Sequence, residues 1–335
     1  TGSFGQEFIR TVLRENQPER LVVFSRDELK QYDMKAKFPE SDSLRFFLGD
    51  IRDRHRLERA LRGIDYVIHA AALKQVDTAE YNPFEFIATN INGSQNVVEA
   101  ALDAGVKKVI ALSTDKASSP VNLYGATKLV ADKMFQSANH YAGNQNTRYS
   151  VVRYGNVLGS RGSVVPYFKE LADKGKPLPI TDPRMTRFWI SLADAVDFVR
   201  SSLEMMNGGE IFVPKIPSMK ILDLAKAIAP EGELTHSEIR PGEKLHEEMI
   251  SEDDSRRTIE LEDRFIILPT IARWAFKEPD GKPVPEGFSY RSDTNTQTLS
   301  ANDLRRYVNQ RNEKTDSIRA PECLMLRCFG SYERC

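Results

Sequence analysis

The stretch Val109-Ile110-Ala111-Leu112-Ser113-Thr114-Asp115-Lys116-Ala117 decides both the predicted fold and the predicted site. Its first four residues form an apolar run, which predicts a buried strand of a parallel sheet. Two hydroxyl side chains, an acid and a base follow where the strand ends. Because ligands bind at the carboxyl ends of strands in open α/β sheets, we expect this stretch to lie in a binding site.

Tyr124 and Lys128 follow within Tyr124-Gly125-Ala126-Thr127-Lys128. Residues four apart share one face of a helix, so these two side chains are predicted to be neighbours. A lysine ammonium stabilises a nearby phenolate, and we therefore expect a lowered pKa for Tyr124, which would act as a base toward a sugar or alcohol hydroxyl. The Tyr124–Lys128 pair alone, or Asp115-Lys116 alone, is typical of a solvated surface. Both together, following a dinucleotide-binding pattern, favour catalysis.

The chain opens on Gly2 and Gly5, which look like the last two glycines of a G-x-x-G-x-x-G loop. Such glycines let the backbone approach a pyrophosphate at the start of a helix, here predicted over 6–14. The strand and glycine that precede such a loop are not in the sequence, so we expect a sheet that lacks its first strand.

Strands and helices alternate at short spacing through the first half of the chain. This alternation predicts an α/β fold with a Rossmann-like, doubly wound parallel sheet and right-handed crossovers. The predicted strands are apolar runs at 20–24, 44–48, 66–72, 109–112 and 150–154.

The end of the predicted strand at 20–24 bears on the choice of cofactor. Ser25, Arg26 and Lys30 are suited to a ribose 2′-phosphate and favour NADP, whereas Asp27 and Glu28 fit the 2′-hydroxyl of NAD. NADP is the favoured prediction, and NAD is the alternative.

Two further polar residues each allow two interpretations. Asp50 is placed either to meet the adenine amino group or to cap the next helix. His69 lies in an apolar strand and is predicted to be a core histidine rather than a catalyst.

After residue 155 the alternation weakens and prolines appear. A glycine-rich loop at 155–166 carries Arg161 and is predicted to wrap a diphosphate, the alternative being a flexible surface loop. Arg240 and Glu243 lie in a turn and suit a phosphate and ribose hydroxyls, or else a salt bridge within the turn. From about Asn309 the pattern fades, which predicts a poorly ordered tail.

Composition excludes several classes of partner. The 335 residues carry 47 Lys and Arg against 48 Asp and Glu, and this net charge of −1 favours neither nucleic acid nor an anionic membrane. No apolar run approaches the roughly 20 residues of a membrane span. All three cysteines lie in the last 13 residues, so no disulfide framework, no metal and a cytoplasmic location are expected.

The motifs together resemble the extended short-chain dehydrogenase/reductase superfamily and, within it, the configuration-inverting UDP-N-acetylglucosamine 4,6-dehydratases. Gln75 and Asp77 depart from the His and Pro usual there. The segments that carry the resemblance are TGSFG, FSRDELK, GDIRD, IHAAALK, AEYNP, ALSTDKA, NLYGATK, RYGNVLGSRGSVVP, ITDPRMTRFWI, GGEIFVPKIPSMK and IRPGEKLHE.

The resemblance implies a nucleotide-sugar hydro-lyase that converts UDP-N-acetylglucosamine to UDP-2-acetamido-2,6-dideoxy-β-L-arabino-hex-4-ulose. Oxidation at C4 is followed by loss of water across C5 and C6 and by return of hydride to C6, with inversion at C5. Lys116 would remove the C5 proton, since a partly desolvated lysine near a cation can titrate near neutrality. Asp115 would protonate the departing hydroxyl. The implied context is the first step of pseudaminic acid synthesis for flagellin glycosylation, in a homo-oligomer, often a hexamer.

By the same resemblance, residues 1–155 bind NAD(P), residues 156–308 bind the nucleotide sugar in a smaller α/β part, and 309–335 form an atypical tail. Thr114, Tyr124 and Lys128 join Asp115 and Lys116 in catalysis. The implied cofactor contacts are Gly2, Ser3, Phe4, Gly5, Ser25, Arg26, Lys30, Asp50, Ile51, Ala70, Lys74, Leu112, Ser113, Tyr124 and Lys128. The implied substrate contacts are Lys74, Asn156, Arg161, Val165, Thr181, Arg240 and Glu243.

Two alternatives remain. A UDP-hexose 4-epimerase of the same fold needs the Tyr–Lys pair, but Asp115-Lys116 speaks against it. An inactive, truncated chain would be favoured by the absent first strand and the unusual tail.

Overall fold

The computed structural model describes residues 1–38, 41–143, 146–160, 162–272, 274, 276–300 and 302–304. Arg161 and the predicted tail at 309–335, with its three cysteines, lie outside these ranges.

The helices alternate with the strands over most of the described chain. The α-helices are α1 (Ser3–Glu15), α2 (Glu28–Lys35), α3 (Arg54–Leu61), α4 (Val76–Tyr81), α5 (Pro83–Phe86), α6 (Gly93–Asp103), α7 (Leu123–Ala138), α8 (Val164–Asp173), α9 (Leu192–Met205) and α10 (Ile221–Ile228). A π-helical segment (Ile87–Asn92) precedes α6, and 3₁₀ turns occupy Asp115–Ala117 and Asp253–Arg257.

The strands fall into one large sheet and several small ones. They are β1 (Leu21–Ser25), β2 (Leu44–Leu48), β3 (Tyr66–His69), β4 (Lys108–Thr114), β5 (Arg148–Tyr154), β6 (Asn156–Val157), β7 (Leu178–Ile180), β8 (Thr186–Ile190), β9 (Ile211–Pro214), β10 (Ser218–Lys220), β11 (Leu234–His236), β12 (Glu248–Ile250), β13 (Thr258–Glu260), β14 (Arg264–Ile267), β15 (Lys282–Pro283) and β16 (Tyr290–Arg291).

The large sheet places β4 between β3 and β5. Its strand order is β15-β13-β14-β9-β5-β4-β3, and β3, β4, β5 and β9 run parallel. Ala111 of β4 lies opposite His69 on one side and Val151 on the other. This confirms the predicted Rossmann-like α/β fold with a parallel sheet, and it places the end of β4 between the carboxyl ends of β3 and β5.

The alternation of strands and helices predicted a parallel sheet, but the observed sheet is parallel only in part. β14 pairs antiparallel with β9, and β13 and β15 continue the antiparallel arrangement. These strands come from beyond residue 155, so the second predicted part contributes strands to the large sheet. In the described chain, β1 and β2 pair parallel with each other as a separate two-stranded sheet.

Apolar packing follows the sequence pattern. Val109, Ile110 and Ala111 are at most 2% exposed and belong to the main core cluster between the sheet and its helices. A second cluster, which includes Phe168 and Trp189, supports the two smaller sheets β10-β8-β6 and β11-β7. The first cluster fixes β4, and hence the position of the residues that follow it.

His69 is a core histidine, as predicted. It is 5% exposed, its Nε2 lies 3.3 Å from Ser94 Oγ, and its ring packs 5.5 Å from that of Phe135. Burial, aided by the charge of Lys128, lowers its pKa to about 3. The folded protein therefore holds this imidazole neutral at pH values where the unfolded chain protonates it.

We expect His69 to make the protein sensitive to acid. Its stabilising contribution is complete above the unfolded pKa of about 6.5 and is lost as the pH falls toward 3, with a slope of up to about 1.4 kcal/mol per pH unit. His69→Gln should therefore show a flatter dependence of unfolding free energy on pH, measured by urea unfolding across this window. Parallel curves for the variant and the unchanged protein would contradict the assignment, whatever the offset between them.

Candidate active site

The end of β4 turns directly into the 3₁₀ turn Asp115–Ala117. Thr114 ends the strand, and its Oγ1 accepts a hydrogen bond from Lys116 N at 3.3 Å. The same hydroxyl donates to Asp115 Oδ1 at 2.8 Å. Thr114 thus fixes the conformation of the turn that presents the acid and the base.

Helix α7 packs against this turn because Gly125 has no side chain. A Cβ at Gly125 would lie 2.2 Å from the carbonyl oxygen of Lys116, so only glycine allows this approach. Asn122 caps the helix by accepting a hydrogen bond from Gly125 N at 2.7 Å. The close packing brings the buried Tyr124 and Lys128 beside the end of β4, which is the juxtaposition that the sequence predicts.

Lys116 lies between two buried carboxylates. Its Nζ is 3.1 Å from Asp115 Oδ1 and 3.0 Å from Glu247 Oε1, and both acidic side chains are 1% exposed. Burial disfavours the ammonium, but the two carboxylates outweigh it and raise the pKa of Lys116. The expectation that Lys116 titrates near neutrality is therefore wrong for this arrangement, because its neighbours are anions rather than a cation.

The two carboxylates differ in protonation. Burial, reinforced by Glu247, raises the pKa of Asp115. Burial acts the same way on Glu247, but Lys116 and Arg187 outweigh it and hold the pKa of Glu247 below its usual value. Asp115 is thus the better proton carrier of the pair, and Glu247 is the one that stays ionised.

The Tyr–Lys pair differs from its prediction in one respect. Burial raises the pKa of Tyr124 to about 12, against the lowering effects of Lys116 and of a hydrogen bond with Thr114. Lys128 donates from Nζ to Leu112 O at 2.8 Å, and burial lowers its own pKa. The expected lowering of the Tyr124 pKa by Lys128 is therefore wrong: desolvation dominates, and the cation that acts on the phenol is Lys116.

The residues predicted to bind the cofactor at the amino terminus leave open space at the start of α1. Helix α1 begins after Gly2 without a side-chain cap, and a Cβ at Gly2 or Gly5 would meet nothing within 4 Å. Thr1 Oγ1 lies 3.2 Å from Ser25 Oγ, which places the start of α1 beside the end of β1. At the end of β4, the buried Ser113 Oγ has no hydrogen-bond partner within the described ranges. A bound nucleotide would supply partners for such groups.

The residues predicted around the adenosine ribose form local ion pairs. Asp27 caps α2 by accepting from Lys30 N, and its carboxylate lies 2.7 Å from Lys30 Nζ. Asp50 accepts from Arg52 and lies 3.7 Å from Arg26. The alternative role for Asp50 as a helix cap is wrong, because Asp53 caps α3.

Four further residues were predicted to contact the cofactor. Ile51 is buried against Gly93. The pKa of Lys74 is lowered by the burial of its own side chain and by the charge of Lys116. The carbonyl of Leu112 is occupied by Lys128. Ala70 follows directly after β3.

The predicted substrate residues are spread over the second half of the chain. Asn156 begins β6, and Thr181 follows β7 with its hydroxyl 3.5 Å from Met185 Sδ. Arg240 lies 4.0 Å from Asp77 and donates its backbone N–H to Glu243 at 3.4 Å. Val165 is buried in the second core cluster, so a contact with substrate would have to come from its backbone.

The comparison with protein families shows which family the chain belongs to. Residues 1–269 match the model of a family described as "Polysaccharide biosynthesis protein". The chain belongs to this family. It lies within the extended short-chain dehydrogenase/reductase superfamily, as the resemblance had predicted.

Named relatives and solved structures are similar to this chain in sequence and in fold. The chain is 56% identical to a Campylobacter jejuni protein named "UDP-N-acetylglucosamine 4,6-dehydratase (inverting)", over 92% of this chain and 95% of that one. The X-ray structure of Pen from Bacillus thuringiensis has a TM-score of 0.84 at 36% identity, covering 92% and 95% of the two chains. DesIV from Streptomyces venezuelae, a dTDP-glucose 4,6-dehydratase solved with NAD and TYD bound, has a TM-score of 0.65 at 26% identity over 73% and 84%.

Two residues of this family member were not predicted for the site. Glu247 contacts Lys116, and Arg187 Nε lies 3.5 Å from the same Glu247 oxygen. Both lie in segments that carried the resemblance, IRPGEKLHE and ITDPRMTRFWI. Their sequence distance from Lys116 gave no sign that they would meet it.

None of the helices in the described part of this family member combines the length and apolar character needed to cross a membrane.

Proposed function

We propose that this protein is an inverting UDP-N-acetylglucosamine 4,6-dehydratase. The observation that carries the proposal is the cluster at the end of β4, where Thr114, Asp115, Lys116 and Tyr124 converge next to Lys128. The named Campylobacter relative, at 56% identity, supports the same substrate. An acid and a base beyond the Tyr–Lys pair are what an elimination requires and a simple epimerisation does not.

The cofactor we propose is NADP, held along α1, Ser25, Arg26 and Ser113. When bound, it would take up hydride from C4 and return it at C6. The chain's own residues would handle the protons: Tyr124 would accept the proton of O4 in its phenolate form, which Lys116 and the hydrogen bond with Thr114 favour, and Thr114 would hold that hydroxyl. Lys128 would orient the ribose, as its position on Leu112 O allows.

Elimination needs a neutral amine and a carboxylic acid, and the structure offers a route to both. A proton shift over the 3.1 Å from Lys116 Nζ to Asp115 Oδ1 would turn the ion pair into this neutral pair. Lys116 would then take the C5 proton. Asp115 would give its proton to the C6 hydroxyl, which leaves as water. A solvent-exchanged proton delivered to the opposite face of C5 would invert that centre, and it balances the proton that Tyr124 took from O4.

The substrate contacts we propose are Lys74, Asn156, Arg161, Thr181, Arg240, Glu243 and the backbone at Val165. Finer inferences from the resemblance are a cytoplasmic homo-oligomer, with a hexamer as the expected form, and a role at the start of pseudaminic acid synthesis for flagellin glycosylation.

The test is mass and NMR analysis of UDP-N-acetylglucosamine incubated with the protein and NADP in deuterated water. We expect a product that has lost one water, carries deuterium at C5 and is inverted there. An epimer from which no water has been lost would instead assign the protein to the 4-epimerases. Unreacted substrate, with no thermal shift on adding NADP or substrate, would support the inactive alternative.

Arg26 provides a test of the cofactor preference. Its guanidinium is half exposed and lies beyond direct hydrogen-bond distance of Asp50, so it is available to a 2′-phosphate. Arg26→Ala should raise the Kd for NADP at least about tenfold and change that for NAD less than about twofold, measured by calorimetry. Lys107→Ala removes an exposed cation that is paired with Asp65 and should leave both values unchanged. Equal losses for the two dinucleotides would contradict NADP selection by Arg26.

A further inference from the structure

Glu247 is a buried acid at the centre of the site whose role the proposed reaction leaves open. It lies in the segment before β12, far in sequence from the turn that carries Lys116. Its side chain is 1% exposed, and its Oε1 lies 3.0 Å from Lys116 Nζ. Its Oε2 is buried without a hydrogen-bond partner in the described ranges. Ionised carboxylates are seldom buried unless charge partners hold them.

Several charged groups face Glu247 from different elements. Lys116 faces it from the 3₁₀ turn and Arg187 from β8, with Nε at 3.5 Å. Lys244, on the same segment as Glu247, adds a more distant positive charge, and Asp115 adds a negative one. The two cations close to Glu247 favour its ionised form.

The consequence for Lys116 is geometric as well as electrostatic. Asp115 Oδ1 and Glu247 Oε1 each lie within hydrogen-bond distance of Nζ. Two acceptors restrict an otherwise flexible amine to one position, and a permanent negative charge on one of them leaves the other free to exchange a proton with the amine.

We propose that Glu247 is a positioning residue that holds the Lys116 amine toward the reacting carbon and keeps the exchangeable proton between Lys116 and Asp115. This proposal rests on the proposed function for its catalytic meaning. The part that concerns the state of Lys116 can be tested without turnover.

The test uses Glu247→Gln, with Glu248→Gln as the matched control. Glu248 is the next residue, and it accepts hydrogen bonds from Ser118 and Ser119 rather than contacting Lys116. The first measurement is the pH dependence of trace acetylation of Lys116, quantified by mass spectrometry. We expect the midpoint to fall by about one pH unit in E247Q, because one of two stabilising anions is lost, and to stay in E248Q. An unchanged midpoint in E247Q would overturn the proposal.

Turnover provides the second measurement. If the protein forms the dehydrated product, E247Q should lower kcat at least about tenfold with KM within about twofold, and C5 deuterium exchange should fall with kcat. A loss of kcat with an unmoved acetylation midpoint and a lowered Tm would indicate a merely structural role and overturn the proposal. If the unchanged protein forms no product, the proposed function fails, and the acetylation result still decides whether Glu247 controls Lys116.

Should E247Q fail to fold, Glu247→Asp carries the test. It keeps the charge but shortens the side chain, so the acetylation midpoint should move by less than about one pH unit while kcat falls at least about tenfold. A kcat equal to that of the unchanged protein would overturn the positioning role.

Discussion

Lys116→Met is expected to lower kcat at least about a thousandfold while oxidation at C4 persists at a reduced rate, because Lys116 also favours the Tyr124 phenolate. General base catalysis contributes roughly 10²–10⁴-fold, and the variant also leaves Asp115 and Glu247, both 1% exposed, without their shared cation. The reaction should therefore stop before elimination. Reduced nicotinamide should accumulate in a single turnover, observed by its absorbance, and no deuterium should enter C5.

Lys116→Arg separates the base from the charge. A guanidinium remains protonated and can still pair with both carboxylates, so we expect a Tm close to that of the unchanged protein. C5 exchange should nevertheless be lost as fully as in the methionine variant. If K116R kept more than about a tenth of the kcat, Lys116 would act through its charge alone, and the base would have to be another group.

The sequence predicted the carboxyl end of β4 as the site because the relevant signals are local. The apolar run, the polar residues after it and the Tyr–Lys spacing each depend on neighbours within about 20 residues. The parallel order of β3, β4 and β5 follows from the same alternation. The antiparallel pairing of β14 with β9 does not follow from that alternation. Both strands lie beyond residue 155, where the alternation weakens and no longer indicates which strands are neighbours.

The electrostatics of the site were predicted less well. The sequence placed Lys128 four residues from Tyr124 but could not show that Lys128 Nζ would donate to Leu112 O, or that burial would dominate the pKa of Tyr124. In the same way, the charge state of Lys116 depends on Glu247, which lies 131 positions further along the chain. A pKa is set by everything packed around a group, and only local neighbours are visible in the sequence.

Tyr124→Phe should block the reaction one step earlier than the Lys116 variants. The phenol is the only group that we assign to the O4 proton, and Thr114 and Lys116 are the groups that oppose its raised pKa of about 12. Without the hydroxyl, kcat should fall about 10²–10⁴-fold. Reduced nicotinamide should not accumulate in a single turnover, in contrast to Lys116→Met.

Tyr154→Phe is the matched control for this prediction. Tyr154 is also a buried tyrosine, lies opposite Thr114 in the register of β4 and β5, and has no assigned role in proton transfer. The kcat of the Tyr154→Phe variant should stay within about threefold of that of the unchanged protein. Accumulation of reduced nicotinamide in Y124F would mean that another group accepts the O4 proton. Tyr124→Phe and Lys116→Met together therefore decide whether Tyr124 acts before Lys116, because only the Lys116 variant should accumulate reduced nicotinamide.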